Sequence, residues 1–313
     1  MKSERHTGYL LGALAAAFYG TNPLFALPLL SAGIDAYSVL FLRYLFAIPM
    51  LALMMVARGR GFGLRGQQVL PLIVLGLLMA ASSLTLYVAY AYIGAAIAST
   101  LLFVYPILVT LIMAVFFHER PSLTTILCIL LASVGVGLLY RGDDGQTLNL
   151  TGLLLVLLSA LSYAIYLVWT GSKSMKAIPT LKLTLYVIVF GLFLFAFRFE
   201  WHTVEVLNGH PWLWLSAVSM ALFPTALSLL CTSSAIQRVG STPVAIMGAL
   251  EPVTAVFFAV TLFSEPLTPR LALGMVLIIM AVTLIIAGGS VTHHLLRMRR
   301  MFPRIRKPKK EKK

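Results

Sequence analysis

The sequence predicts an all-α polytopic membrane protein whose ten transmembrane helices form two inverted five-helix repeats. Composition, hydropathy and an internal repeat support this prediction. Of the 313 residues, 60% are hydrophobic and 11% are charged, and the mean hydropathy is +0.94. A soluble globular protein of this composition would have too little polar surface to cover its core. The chain is therefore predicted to be an integral membrane protein.

The internal repeat is clearest between residues 94–119 and residues 240–265. An offset of 146 positions relates the first residues of these segments, and it also relates Pro106 to Pro252. Nearly all residues between these marks are apolar. Self-similarity at a fixed offset indicates a duplicated structural unit.

Ten apolar segments are long enough to cross a bilayer, which takes about 20 helical residues. They lie at residues 8–30, 36–57, 69–92, 94–117, 122–140, 150–170, 181–199, 211–236, 240–263 and 268–288. Because each half holds an odd number of spans, a similar second half must enter the membrane from the opposite side. The predicted units are a first repeat at 1–141, an inverted second repeat at 142–290, and a basic cytoplasmic tail at 291–313.

The first apolar segment is predicted to be a retained helix. A signal peptide is the alternative, because Lys2 and Arg5 precede the apolar run. However, the segment over residues 8–30 has its own repeat partner, since Tyr19 matches Tyr163 at an offset of 144.

Loop charges predict the orientation. The net charge is +14, and loop and tail cations divide 20 to 3 when the N-terminus is placed inside. The positive-inside rule therefore predicts that both termini are cytoplasmic. The links from Tyr92 to Gly94 and from Arg238 to Gly240 are predicted to be tight extracellular hairpins. The tail from Arg297 is predicted to lie disordered against anionic lipid, and no nucleic-acid partner is expected because no basic, aromatic-interleaved domain is visible.

No cofactor, metal site or enzymatic activity is predicted. Cys128 and Cys231 both lie inside apolar segments, where they are expected to pack in the core. All six histidines fall in loops or tails. An intramembrane enzyme would need a nucleophile with a base, or a metal cluster, at membrane depth.

Both halves share a sequence pattern of glycine, proline and then Glu-x-x-Ser/Thr. The second copy reads LEPV at residues 250–253 and SEPLT at residues 264–268. In these features, over residues 8–288, the chain resembles the EamA group of the drug/metabolite transporter superfamily. The resemblance implies a secondary transporter for amino acids, drugs, nucleobases or other small metabolites. Members usually carry an acidic residue before the proline in one or both copies, whereas the first copy here has Tyr105.

Glu251 is the carboxylate that precedes the second proline. It lies about midway between Gly240 and Phe263, which places it near the bilayer midplane, at a cost of roughly 3 kcal/mol. The surrounding apolar residues offset that cost, but the acid must face the bundle or a wet cavity. We predict that it binds substrate and exchanges protons. The alternative is an acid held protonated or hydrogen-bonded for packing.

Arg43 is the only other charged residue well inside a span. Its long side chain could snorkel outward to the membrane surface. Alternatively, Arg43 pairs with Glu251 when the site is empty, or it receives an anionic group of the substrate.

Polar and aromatic residues at helical spacing predict the lining of a binding cavity. Ser228 and Thr232 are interpreted instead as helix-packing residues, and Trp169 has the alternative role of an interfacial anchor. The predicted substrate-binding residues are Tyr19, Asn22, Arg43, Tyr87, Tyr105, Tyr163, Tyr166, Trp169 and Glu251.

Two further acids, Glu119 and Glu265, are predicted to lie at cytoplasmic helix ends beside Arg120 and Arg270. They are either solvated interfacial charges or gating residues that grip basic loop residues when the site faces outward.

Together these features predict a secondary transporter that exports a small metabolite, amino acid or drug across a bacterial inner membrane. Its two halves would rock about the central site. Its candidate partners are the substrate and protons. Alternatives are an uncoupled facilitator, a lipid-carrier flippase and a non-transporting sensor. The protein is expected to be a monomer or a homodimer.

Overall fold

A computed structural model describes residues 2–93, 95–119, 121–139, 149–262 and 268–301. These parts of the chain are helical and contain no strand. Seven helical segments among them are long and apolar enough to cross a membrane, and three more apolar helices are shorter: Tyr105–Phe117, Leu123–Leu138 and Thr180–Ala196. The all-helical membrane fold is thus confirmed, whereas the count of ten spans stays a prediction.

The helices are numbered in chain order. Their bounds are α1 Lys2–Gly20, α2 Asn22–Ser31, α3 Ala36–Ala57, α4 Gly66–Ile93, α5 Ala95–Leu102, α6 Tyr105–Phe117, α7 Leu123–Leu139, α8 Leu150–Thr170, α9 Lys173–Lys176, α10 Thr180–Ala196, α11 His202–Gly209, α12 Trp212–Ala221, a π-helical segment Leu222–Leu227, α13 Ser228–Val239, α14 Ser241–Met247, α15 Leu250–Leu262 and α16 Pro269–Met301.

Local capping explains several helix starts. The Asp35 carboxylate accepts a hydrogen bond from the backbone N–H of Tyr37 at 2.8 Å, which caps α3. The Asn149 side chain caps α8 in the same way by accepting from Thr151 N–H at 2.8 Å. Both helices have the bounds that hydropathy predicted.

The helices predicted over residues 94–117 and 240–263 are wrong as single helices, because each is broken in its middle. The first divides into α5 and α6, and the second into α14 and α15. In both copies a proline lies in the first turn after the break, Pro106 in α6 and Pro252 in α15, and it has no N–H to donate to the preceding turn. In the second copy Glu251 N–H instead donates to the Gly248 carbonyl, three residues back, at 2.9 Å. The chain therefore turns tightly just before the equivalent residues Tyr105 and Glu251.

Two other predicted spans are also interrupted. The first divides at Thr21 into α1 and α2, where Pro23 lies in the first turn of α2. The eighth contains a π-helical segment that includes Pro224 between α12 and α13. Segments of this kind occur often at functional sites.

The last helix is longer than predicted. It was expected to end near residue 288, but α16 continues to Met301. The prediction of a disordered tail from Arg297 is therefore wrong for residues 297–301. Residues 302–313 lie outside the described part of the chain.

The two halves make matching contacts with each other. A Cβ atom on Gly8, near the start of α1, would meet the side chains of Val239 and Arg238 at the end of α13. A Cβ atom on Gly152, near the start of α8, would meet Ile93 and Tyr92 at the end of α4. The two sets of residues correspond at offsets of 144 and 146, so the sequence repeat is also a repeat of contacts.

The same correspondence holds deeper in the bundle. The Ser228 hydroxyl on α13 donates to the Ala15 carbonyl on α1 at 3.0 Å. The Ser159 hydroxyl on α8 donates to the Ser82 carbonyl on α4 at 2.7 Å. The interpretation of Ser228 as a helix-packing residue agrees with this contact.

One hairpin lies on the opposite side from the predicted one. Gly240 joins α13 to α14 with a φ of 92°, which favours glycine. The Gly8 contact places this hairpin at the end of the bundle where α1 begins. Both hairpins were predicted to be extracellular, but the second lies on the side of the N-terminus. Gly94, in the first hairpin, lies outside the described residues.

The prediction that Arg270 lies on the same side of the membrane as Glu119 is wrong. Gly135, near the end of α7, packs against the Gly274 carbonyl and Ile278, near the start of α16. The start of α16, with Arg270, therefore lies at the end of α7 opposite Glu119. Glu119 itself is exposed. Glu265 and Arg120 lie outside the described residues.

The most extensive helix pairings connect the two halves. They are α4 with α8, α7 with α16, α1 with α13, and α10 with both α3 and α4. Cys128 is buried and Cys231 is partly buried, and both are free thiols.

Candidate functional site

A small cavity lies between the two halves, beside the breaks in the repeated helices. Residues from α1, α6, α8, α13, α14 and α15 meet there. The lining residues are Gly12, Ala15, Ala16, Tyr105, Tyr163, Leu167, Thr232, Val244, Gly248 and Glu251.

The cavity measures about 10 Å³, which is room for about one water molecule. The broad, aromatic-walled chamber expected from the sequence is therefore not open in this structure. The aromatic wall is present, but its side chains are closed upon one another.

Glu251 reaches the cavity from the first turn of α15. Because α15 begins at Leu250, the acid lies at a helix N-terminus, where backbone N–H groups and the helix dipole favour negative charge. No hydrogen bond to its carboxyl group is found among the described residues. Gly20 of α1 packs directly against the Glu251 carbonyl oxygen, so the two halves meet at this turn.

Tyr105 occupies the matching position in the first half and faces the same cavity. It begins α6, is 2% exposed, and packs edge-on against Tyr163 with ring centroids 5.0 Å apart. Its hydroxyl lies where a Cβ atom on Gly248 would be. The glycine at the break of the second copy therefore makes room for the tyrosine of the first.

Arg43 is the centre of a second polar cluster and is fully buried. Its Nη1 donates to Asn22 Oδ1 at 3.2 Å and to the Tyr87 hydroxyl at 3.4 Å. Its Nη2 donates to the Pro224 carbonyl at 3.0 Å, and its Nε donates to the Thr225 hydroxyl. Four of the five guanidinium N–H groups thus bind neutral acceptors, which come from three different spans.

The π-helical segment supplies two of these acceptors. Ser228 N–H donates to the Phe223 carbonyl, five residues back, instead of the Pro224 carbonyl. The Thr225 hydroxyl donates in turn to the Met220 carbonyl at 2.8 Å, an acceptor that the missing N–H of Pro224 leaves open. The irregular backbone therefore presents acceptors to the guanidinium at membrane depth, where they would otherwise be costly.

Arg43 does not form an ion pair with Glu251 in this structure, so that prediction is wrong for this conformation. The guanidinium carbon instead lies 5.6 Å from the centre of the Tyr19 ring. Tyr19 directly precedes Gly20, which packs against the Glu251 carbonyl oxygen. Arg43 is thus held inward against the Tyr19 ring instead of snorkelling outward.

The remaining predicted residues divide between these places. Tyr105, Tyr163 and Glu251 line the cavity, whereas Tyr166 stacks behind Tyr163 with ring centroids 6.1 Å apart. Trp169 is partly buried against the core and is not among the lining residues.

Sequence reasoning missed part of the lining. Thr232 was interpreted as a packing residue, but its side chain borders the cavity. Gly12, Ala15 and Gly248 also border it. The available signal was a small residue in the turn before Glu251, which permits a close approach.

Comparison with known proteins agrees with a transporter fold. A sequence profile described as the EamA-like transporter family matches residues 6–141 and again residues 150–287. The chain belongs to the EamA-like transporter family.

Two similar proteins extend this comparison. An uncharacterized transporter of Archaeoglobus fulgidus is 25% identical over 195 residues, which cover 62% of this chain and 69% of that protein. A solved crystal structure aligns with a TM-score of 0.75 and 17% identity, covering 89% of this chain and 96% of that one. The second similarity concerns the fold of this EamA-like protein.

Proposed function

We propose that the protein is a secondary transporter that exports a small organic metabolite, amino acid or drug by alternating access. It would lie in a bacterial inner membrane with both termini in the cytoplasm. The observation that carries the proposal is the cavity between the halves, where Tyr105 of the first repeat meets Glu251 of the second.

The architecture that we propose is ten spans in two inverted five-helix repeats. The two matches of the family profile support it, as do the matching contacts of Gly8 and Gly152. The three short apolar helices α6, α7 and α10 would raise the seven long segments to ten spans. The span of α6 would be lengthened by α5. In such folds the substrate lies near the midplane beside discontinuous helices. The helices broken before Tyr105 and Glu251 would be the discontinuous helices of this protein.

The small cavity corresponds to an occluded state. For a metabolite to enter, α1, α8 and the broken helices must separate, because they contribute most of the lining. Rocking of one half against the other would separate them on one side of the membrane at a time. Tyr19, Tyr105 and Tyr163 would then become walls of the enlarged site.

Glu251 is proposed to bind the transported proton or the substrate. Its carboxyl group has neither a basic partner nor a hydrogen bond among the described residues. The charge of such a partly buried acid changes when a proton arrives or leaves, and a cationic group can compensate it. Opening the site to one side and then the other would couple that exchange to transport.

The two acidic residues outside the cavity are proposed to act as separate gates. Glu119 would act just after α6, on the N-terminal side of the membrane. Glu265, in a part of the chain that the structure leaves undescribed, would act on the opposite side.

A vesicle experiment tests the proposed coupling. A metabolite enriched in the medium of overexpressing cells over that of deletion cells is identified first and then used as the transported compound. We expect a pH gradient to drive its accumulation in vesicles of the wild-type protein. Glu251→Gln, which cannot ionise, should reduce this accumulation about 100-fold or more, as is typical when a positioned proton carrier is removed.

The matched control is Glu205→Gln, because Glu205 is exposed on α11 and its carboxylate pairs with His202, away from the cavity. It should transport as the wild type does. Gradient-driven accumulation that persists in Glu251→Gln would remove the proton role. Transport that ignores the gradient in the wild type would indicate a facilitator instead.

A further inference from the structure

A third polar cluster lies where α8 ends against α13. It consists of Tyr166, Thr170 and Ser233, which are all fully buried. The Tyr166 hydroxyl is near enough to the Thr170 and Ser233 hydroxyls to interact with both, but none of the three reaches the distance and angle of a hydrogen bond with any described residue. Buried polar groups are rarely left unpaired, so this cluster is suited to a bound species.

The repeat shows what occupies the equivalent place in the first half. At the offsets of 144 and 146, Tyr166 corresponds to Asn22, and Ser233 corresponds to Tyr87. Tyr87 and Asn22 are hydrogen-bonded at 2.9 Å, and both accept from the guanidinium of Arg43. The first-half site is therefore an oxygen-lined site that a cationic group fills.

The second half has no such cation of its own. The residues 144 and 145 positions after Arg43 are Val187 and Ile188 on α10, which are apolar and fully buried. Lys173, which follows α8 closely, is exposed. The three hydroxyls therefore lie at a position equivalent to the acceptors of Arg43, but no cationic side chain among the described residues replaces Arg43 there.

Helix electrostatics at this position favour positive charge. Tyr166 and Thr170 belong to the last turns of α8, whose C-terminal carbonyl groups carry the negative end of the helix dipole. The Ser241 hydroxyl already binds one of these carbonyls, that of Leu167, at 2.8 Å. Other carbonyls of the same turn have lone pairs available for a ligand.

We propose that the hydroxyl oxygens of Tyr166, Thr170 and Ser233, with carbonyls at the end of α8, bind a sodium ion. Neutral hydroxyl and carbonyl oxygens are hard ligands that suit alkali and alkaline-earth cations. Divalent cations in proteins are bound mainly by carboxylates, and none of the three proposed side-chain ligands is a carboxylate. A single charge matches the guanidinium of the equivalent site.

The sodium site adjoins the cavity without including it. Tyr163 and Leu167 of α8 and Thr232 of α13 line the cavity, and each is close in sequence to a residue of the proposed site. A bound ion would fix α8 against α13 and so affect the cavity wall. The binding of sodium does not depend on the proposed role of Glu251, and its test measures no transport.

Thermal unfolding of the purified full-length protein in detergent tests the proposal. Sodium chloride replaces choline chloride at constant total salt, so that only the cation changes. The midpoint of unfolding should rise with sodium and reach a plateau. Ser233→Ala and Thr170→Val should each need about tenfold more sodium to reach half of the rise, since each loses one ligand.

Ser228→Ala is the matched control, because Ser228 is also on α13 but binds the Ala15 carbonyl; it should keep the wild-type sodium dependence. Equilibrium binding of radioactive sodium to the wild-type protein should give about one ion per chain, and this measurement needs no variant to fold. Absence of saturable binding would overturn the proposal and leave a buried water as the occupant. A sodium response that Ser233→Ala and Thr170→Val do not alter would overturn it as well.

Discussion

Tyr105 and Glu251 occupy equivalent positions in the two repeats but differ in charge. Both face one cavity of about 10 Å³. Two carboxylates about 4 Å apart would repel one another by roughly 4 kcal/mol at an effective dielectric constant of 20. With a neutral tyrosine in the first repeat, the charge of Glu251 depends on its own environment and not on a second acid.

The contact between Tyr105 and Gly248 leads to a prediction about packing. Gly248→Ala places a methyl group where the Tyr105 hydroxyl lies, and such overpacking should lower the free energy of unfolding by about 2 kcal/mol. In a Tyr105→Phe background the loss should be smaller, because the colliding oxygen is gone. Thermal unfolding of the wild type, the two single variants and the double variant measures how much the cost of Gly248→Ala depends on Tyr105.

Gly137→Ala is the control for that measurement, because a Cβ atom there meets nothing within 4 Å. It should leave the midpoint nearly unchanged. If Gly248→Ala costs the same with Tyr105 as with phenylalanine, the two residues are not in contact in the protein.

At this scale the sequence identified residues better than partners. Glu251 and Arg43 were recognisable because charge is rare in a membrane span. Their environments depend on residues distant in sequence, such as Thr225 for Arg43. Hydropathy and helical spacing report which face of a helix is polar, but they do not report which neighbouring helix meets that face.

At the scale of elements, the interrupted helices are the features closest to the site. Breaks before Tyr105 and Glu251 and the π-helical segment beside Arg43 all present backbone groups that a regular helix would satisfy internally. Proline occurs at each of them, at Pro106, Pro252 and Pro224.

The link between α3 and the π-helical segment can be tested at Thr225. Its hydroxyl accepts from Arg43 and donates to the Met220 carbonyl. Thr225→Val keeps the shape but leaves both partners buried and unpaired. We expect a loss of about 1–3 kcal/mol in the free energy of unfolding, measured by thermal denaturation.

Thr283→Val provides the comparison, since that hydroxyl is exposed and bonds only the carbonyl of Ile279 on its own helix. It should change stability by less than about 0.5 kcal/mol. Equal effects of the two substitutions would mean that Thr225 does not hold Arg43 to the π-helical segment.

Element positions were largely predictable, whereas their interruptions were not. Apolar length alone gave α3 and α8 with the bounds observed. A single proline also occurs inside α3 at Pro49 and inside α4 at Pro71 without dividing either helix. Whether proline breaks a helix therefore depends on the packing around it, which one sequence does not display.

The whole molecule is organised by contacts between its halves. The start of α1 meets the end of α13, and the start of α8 meets the end of α4. The predicted repeat led to this arrangement, but the sides of the second hairpin and of Arg270 were assigned incorrectly. The error arose because residues equivalent in sequence lie on opposite sides of the membrane when the repeats are inverted.

Cysteine labelling tests the arrangement of the whole chain. In a background with Cys128 and Cys231 replaced by alanine, a membrane-impermeant thiol reagent is applied to each side separately. Arg238→Cys should be labelled from the same side as Arg60→Cys, in the loop after α3. Glu205→Cys on α11 should be labelled from the other side.

The native residues at all three labelling positions are exposed, so lack of access should not obscure the result. Labelling of Arg238→Cys from the side opposite to Arg60→Cys would contradict the inverted arrangement.

Because the largest helix pairings join one half to the other, the protein has no intermediate point in its synthesis at which a finished unit exists. Helices α1, α4 and α7 enter the bilayer before α13, α8 and α16 have left the ribosome. The early spans must therefore wait in lipid, with polar side chains such as Arg43 still lacking their later neighbours. Each round of translation would therefore expose a partly assembled chain to cellular quality control. Assembly can finish only once the last helix has been inserted.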